Sequence, residues 1–176
     1  LDRSLPRMRY LDDIYGGTFK TAYASAGNII ELARQADMII GAVLIPGAAA
    51  PKLVTREMLG DMQKGAVLVD VAIDQGGCFE TSKPTTHAEP TYVIDDIVHY
   101  CVANMPGAVA RTSTMALSNA TLPFVISLAN KGYRQALLDD AHLANGLNVH
   151  RGDVTYEAVA RDLGHRFVDP HNALAA

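Results

Sequence analysis

Short, continuous apolar runs alternate along this chain with segments whose apolar residues recur every three to four positions. Ala66–Val69 is a brief apolar run rich in β-branched residues, the pattern of a strand buried on both faces. Met38–Leu44 is apolar throughout and predicts a second, central parallel strand. Phe19–Tyr23 and Ile97–Ala103 read as two more. Between these runs Met8, Leu11 and Tyr15 stand at helical spacing behind Pro6, which a first helical turn tolerates. Ala26–Ala36 predicts a helix capped by Ser25, with Ile29, Ile30, Leu32 and Ala33 as its buried stripe. Thr55 caps a third helix, Arg56–Met62, and Glu57 suits its first turn. Gly16-Gly17, Pro46-Gly47 and Lys64-Gly65 punctuate the series. The alternation predicts an α/β fold, a doubly wound parallel sheet with right-handed crossovers.

After Gly107 the pattern changes. Thr112 to Lys131 predicts one long helix with Leu117, Ala120, Thr121, Phe124, Val125 and Leu128 on one stripe, kinked by Pro123. Tyr133–Leu138 and Tyr156–Leu163 predict shorter helices around an extended stretch, Gly146–Val154. This tail is too small to build a good core alone, so it is expected to pack on something outside this chain or outside the sheet. The boundary is placed between residues 1–108 and 109–176.

Composition narrows the partners. The 176 residues are 49% hydrophobic, as in ordinary folded proteins, and carry a net charge of −4. No basic field exists to attract nucleic acid or an anionic membrane. No apolar run reaches the ~18 residues of a spanning helix. Cys78 and Cys101 are too few for a disulfide framework, which points to a reducing cytosol. The six histidines are dispersed, without a His-x-x-x-His or Cys-x-x-Cys pair, so no metal site is expected. The opening Leu1-Asp2, directly before a helical segment, reads as a chain entered partway through a domain.

The candidate chemistry lies at strand ends. Asp70 and Asp74 follow the Ala66–Val69 strand, before Gly76-Gly77 releases the chain into a loop. Open parallel sheets bind ligands beyond the carboxyl ends of their strands. The two acids are therefore candidates for catalysis, or alternatively caps of a turn. Val43–Ile45, Val71–Asp74 and Val102–Met105 all fall at such ends, with few charges, which suits a flat ring lying on main-chain amides. Asp2 stands where dinucleotide folds place an acid against the ribose hydroxyls, or simply caps a helix. No Gly-x-Gly-x-x-Gly precedes it.

Three long runs carry a family resemblance. Ala36–Gly47, ending Val43-Leu44-Ile45-Pro46-Gly47, Val69–Phe79, containing Asp74-Gln75-Gly76-Gly77-Cys78-Phe79, and Tyr100–Gly107, ending Ala103-Asn104-Met105-Pro106-Gly107, resemble bacterial alanine dehydrogenases. The likeness continues through Thr112–Thr114 and Leu117–Pro123. The related transhydrogenase alpha subunit carries Ala-Glu where this chain has Ile73-Asp74. The resemblance implies a Rossmann-type, N-terminally incomplete dinucleotide-binding domain over 1–108, followed by helices returning to a substrate domain over 109–176. It implies NAD as cofactor, reversible oxidative deamination of L-alanine to pyruvate and ammonia, a cytoplasmic enzyme, and a homo-oligomer, a hexamer in the family.

Carried over by position, Asp2 would hold the adenosine ribose and Arg7 would lie beside the adenine. Ala24, with Ser25 next to it, would lie near the adenosine. Val43 and Leu44 would line the pyrophosphate and ribose path. Val71, Ala72, Ile73 and Asp74 would face the nicotinamide, with Lys83 nearby, and Val102, Ala103, Asn104 and Met105 would meet it through their backbone. Asp74 falls on the catalytic carboxylate, relaying a proton during imine hydrolysis or stabilising the cationic amine. The family's catalytic histidine and carboxylate-binding basic residues belong to an N-terminal segment that this chain does not contain. His87, His99, His142, His150, His165 and His171 match no catalytic position and are expected to be surface or packing residues. Met105 and Met115 are likewise expected to pack. The rival readings are a transhydrogenase subunit and a non-catalytic NAD-binding module.

Overall fold

The computed structural model describes residues 1–43, 45 and 49–175. The expected contact at Leu44 and the expected strand stop at Pro46-Gly47 lie outside the described residues. Two compact units are present, one over residues 1–43 and 49–103, the other over residues 45 and 104–175.

The first unit begins with helix α1 (Leu5–Tyr15). Ser4 caps it by accepting from the Arg7 amide at 3.3 Å, and Gly16, at φ 55°, ends it. Helix α2 (Ala26–Ala33) starts the same way, Ser25 Oγ accepting from Asn28 N at 3.2 Å. Strand β1 (Met38–Gly41), helix α3 (Arg56–Leu59) and strand β2 (Val67–Asp70) follow, then strands β3 (Thr91–Ile94) and β4 (Ile97–Tyr100). The four strands form a single sheet in the order β1-β2-β4-β3. β1, β2 and β4 run parallel, in register Met38–Val67 and Val67–Val98. Leu68, on the central β2, is sealed, and packs in one core with Ala33, Val54, Leu59, Phe79 and Ile97. The sheet is therefore mixed but mostly parallel, as an α/β fold of this class requires.

Several local readings change: on α2, which ends at Ala33, Leu32 is exposed rather than buried. Phe19–Tyr23 is not a strand; Tyr23 makes one isolated parallel bridge to Asp2. β1 ends at Gly41 and stands at an edge of the described sheet rather than its centre, with Ile40 62% exposed. β3 was not foreseen. It closes the other edge as an antiparallel hairpin with β4, through Asp95 and Asp96, both at positive φ. An Asp-Asp pair lacks the glycine that usually announces such a turn.

The second unit opens with a short 3₁₀ turn, Met105–Val109, leading into helix α4 (Ala110–Lys131), which continues through Pro123. Helices α5 (Tyr133–Asp139) and α6 (Ala141–Ala144), a small hairpin of β5 (Val149–His150) and β6 (Asp153–Val154), and helices α7 (Glu157–Leu163) and α8 (Pro170–Ala175) complete it. The predicted apolar stripe of α4 is not buried: no residue of this helix is, and Leu117, Phe124 and Val125 stand exposed. The unit's own core is small, built on Leu137, Ala144 and Leu174.

Candidate active site

β2 delivers its last residue, Asp70, into a fully buried position. A carboxylate there must be satisfied by donors, and it is. Oδ1 accepts from Ala72 N at 3.1 Å and from the Cys78 thiol at 3.5 Å. Oδ2 accepts from Cys78 N at 2.9 Å, from Phe79 N at 3.3 Å and from the Ser82 hydroxyl. Asp70 thus ties together the start and the exit of the turn that carries Asp74. Burial, reinforced by the charge of Asp70, pushes the Cys78 thiol up to about 12, so it stays protonated and serves as a donor.

The turn itself is a single 3₁₀ turn, Ile73–Gln75, with Ala72 and Ile73 buried beneath it and Asp74 exposed on its outside. Gly76 and Gly77 follow at φ 86° and 74°. Gly77 has no room for a side chain: a β-carbon there would stand 2.7 Å from both Asp70 Oδ2 and Ser82 Cβ. The outer side of the turn rests on residues 50–53. Ala50 N donates to Gln75 O at 3.0 Å and Leu53 N to Cys78 O at 2.7 Å. Lys52 Nζ donates to Gly76 O at 2.6 Å and Gly77 O at 2.7 Å.

Behind the turn lies a second polar set. Tyr92 Oη donates to Thr81 O at 2.9 Å and accepts from Lys83 N at 2.8 Å, and Cys101 Sγ lies 3.5 Å away. Burial first, then the Cys101 contact, raises the Tyr92 phenol well above its ordinary range. His99 Nδ1 lies 3.0 Å from Ile97 O, which can only accept, so Nε2 accepts from the Thr81 hydroxyl at 2.7 Å. Burial holds this imidazole below its usual value, and the Tyr92 ring stacks on it at 4.8 Å. His99 is a neutral packing residue.

The sheet brings part of the predicted site together. Val43 follows β1, and Val71, Ala72, Ile73 and Asp74 follow β2, on the same edge; Val71 N donates to Gly41 O at 2.8 Å and leaves its side chain 48% exposed. Val102 and Ala103 follow the neighbouring β4. Val102 is buried and bridges Thr85, so what this segment offers a ligand is backbone. Lys83 lies ahead of β3 in the chain, its ammonium 4.4 Å over the Tyr92 ring. Asp2 and Arg7 sit on the N-terminal segment. Asp2 Oδ1 accepts from Ser4 N at 2.8 Å, so Ser4 and not Asp2 is the helix cap, and Arg7 lies over the Tyr10 ring. Asn104 and Met105 belong to the second unit. There Asn104 accepts from Gly107 N at 3.2 Å and borders an open cleft of about 680 Å³ that α4 also lines. Sequence reasoning missed Lys52, because nothing in a lysine after a proline signals that its ammonium will meet two carbonyls.

Chemically, the edge combines exposed apolar surface at Val71 with one exposed carboxylate, Asp74, on a doubly anchored turn. Among the described residues no group of three or more His, Cys, Asp or Glu could hold a metal ion. No helix among them is long and apolar enough to cross a membrane.

Comparison with known proteins places this geometry in a wider set. The model of the family described as "Alanine dehydrogenase/PNT, C-terminal domain" matches residues 1–157. The alanine dehydrogenase of Halomonas elongata is 68% identical over 169 residues, covering 96% of this chain and 46% of that protein. That of Bacillus subtilis is 54% identical over 175 residues, covering 99% and 46%. A solved L-alanine dehydrogenase superposes with a TM-score of 0.79 at 45% identity, over 93% of this chain and 45% of that one. The transhydrogenase from Sinorhizobium meliloti superposes with a TM-score of 0.59 at 27% identity, over 70% and 35%. The chain spans about half the length of the curated relatives it matches.

Proposed function

From the membership of this chain in the alanine dehydrogenase/PNT C-terminal domain family, we propose that it forms the C-terminal part of an NAD-dependent alanine dehydrogenase. The reaction is L-alanine, NAD⁺ and water going reversibly to pyruvate, ammonium, NADH and a proton. Residues 1–108 serve as the dinucleotide-binding domain and residues 109–176 as helices that complete a substrate domain. The enzyme works in the cytoplasm as a homo-oligomer, a hexamer by analogy with the family.

The observation that carries this reading is the position of Asp74. It is an exposed carboxylate at the carboxyl end of a parallel strand, on a turn fastened from within by Asp70 and from without by residues 50–53. The strand ends suit a nicotinamide ring, since Val71 offers exposed apolar surface beside the turn. Val43, Val71, Ala72, Ile73, Val102 and Ala103 would line its path, Lys83 would lie near it, and Asp2 and Arg7 would hold the adenosine end. When bound, NAD supplies the hydride acceptor. Asp74 then relays the proton that must move as water adds to iminopyruvate and ammonia leaves, work for which a positioned acid–base group contributes ~10²–10⁴-fold.

The complete enzyme should reduce NAD⁺ with L-alanine, and Asp74→Asn should remove most of that turnover. Hydride exchange between two nucleotides without alanine would instead favour the transhydrogenase, whose relative shares the fold at lower similarity. NAD binding with no turnover of either kind would favour a binding module.

A further inference from the structure

The turn carrying Asp74 leaves by two successive glycines at positive φ, Gly76 at 86° and Gly77 at 74°. In that conformation their carbonyls both face the neighbouring segment, residues 50–53. That segment supplies amides to the carbonyls on either side: Ala50 N reaches Gln75 O at 3.0 Å and Leu53 N reaches Cys78 O at 2.7 Å. Between those two residues stand Pro51, which has no amide hydrogen to give, and Lys52. The Lys52 side chain fills the gap. Its ammonium donates to Gly76 O at 2.6 Å and to Gly77 O at 2.7 Å, both charge-assisted bonds.

We propose that Lys52 is a positioning residue for the reaction, fixing the Gly76–Gly77 exit of the turn and through it the reach of the Asp74 carboxylate. This rests on the proposed role of Asp74. Asp70 grips the buried side of the same turn, through Ala72, Cys78 and Phe79, but leaves the carbonyls of Gly76 and Gly77 to Lys52. Without the ammonium, two adjacent glycines with wide conformational freedom set the position of an acid two residues upstream. Misplacement of a catalytic group by about an ångström costs up to ~10²-fold in rate.

The test is a double-mutant cycle in the complete enzyme, measuring kcat and KM for L-alanine oxidation with wild type, Lys52→Met, Lys52→Arg, Asp74→Asn and the Lys52→Met/Asp74→Asn pair. Lys52→Met should lower kcat about ten- to hundredfold, with the KM for NAD changed less than about twofold, and Lys52→Arg should restore most of the loss. In the Asp74→Asn background, Lys52→Met should cost less than about twofold, because no catalytic carboxylate remains to be placed. An equal loss in both backgrounds, or an unchanged kcat in Lys52→Met, overturns the proposal while leaving the role of Asp74 intact. Full activity in Asp74→Asn removes the underlying reading, and the proposal with it. Lys52→Gln provides the same comparison should the methionine variant not fold.

Discussion

Gly41 and Cys78 approach so closely that a β-carbon on Gly41 would overlap the Cys78 sulfur, and would also stand 2.7 Å from the Phe79 ring. The end of β1 is thereby pressed onto the chain that returns from the Asp74 turn. Gly41→Ala forces apart two buried side chains, one of them held by Asp70. Thermal or urea unfolding should show a loss of about 1–3 kcal/mol, the usual cost of overpacking a filled core.

Asp70 and Asp74 should part company in function. Asp74→Asn in the complete enzyme is expected to lower turnover ~10²–10⁴-fold while leaving NAD affinity within a few-fold, since the amide keeps the shape. Asp70→Asn places an amide among donors and should cost more than about 2 kcal/mol of stability. Steady-state kinetics beside urea melts of both variants separate the two roles. Normal turnover in Asp74→Asn with an inactive but well-folded Asp70→Asn would reverse the assignment.

His99 makes stability depend on pH. Its folded-state value is lowered, chiefly by burial, so the unfolded chain takes up the proton first. The contribution of neutral His99 is therefore complete above the ordinary value of 6.5 and declines as pH falls below it. His99→Gln should flatten that decline in urea melts taken from about pH 7.5 down to 5.

Asp2 should select the cofactor. Its carboxylate is steadied by the Ser4 amide at 2.8 Å, and a like charge on a 2′-phosphate would meet it unfavourably. In the complete enzyme, Asp2→Ala is expected to cost about 1–3 kcal/mol of NAD binding through lost charge-assisted bonds, and NADP less. Arg7 works the other way, since an arginine accommodates phosphate. Equal wild-type turnover with both cofactors would end this expectation.

Residues 1–176 contain no glycine-rich phosphate loop. The amides and helix N-terminus that hold a pyrophosphate are therefore not supplied by them. Calorimetry with this chain alone should show weak NAD binding or none; micromolar affinity would contradict the expectation.

The parallel strands were legible because β-branched runs such as Val67–Val69 admit few alternatives, and Ser25 announces its helix through capping. The β3–β4 hairpin was not, since Asp95 and Asp96 adopt positive φ against their own preference, helped by tertiary contacts from Gly65, Lys64 and Arg56. Asp74 could be picked out as a loop acid at a strand end. The hub around Asp70 could be glimpsed only as a side chain near a turn, because its partners Cys78, Phe79 and Ser82 reach it through the returning chain. Lys52 left no trace for the same reason. The apolar face of α4 was read correctly as apolar, but its burial depends on surroundings that periodicity does not describe.

The hairpin turn at Asp95–Asp96 gives the sheet two ends with separate histories available to them. At the amino ends of the parallel strands, Asp96 O receives the Gly65 amide, and Asp95 and Asp96 pair with Arg56 and Lys64, all in solvent. Exposed pairs of this kind carry little energy and tolerate exchange. The carboxyl ends hold the buried Asp70, the exposed Asp74, and Gly77, which has no room for a β-carbon. Substitutions at Arg56, Lys64, Asp95 and Asp96 should therefore change surface charge while leaving the contacts of Asp70 at the opposite rim in place.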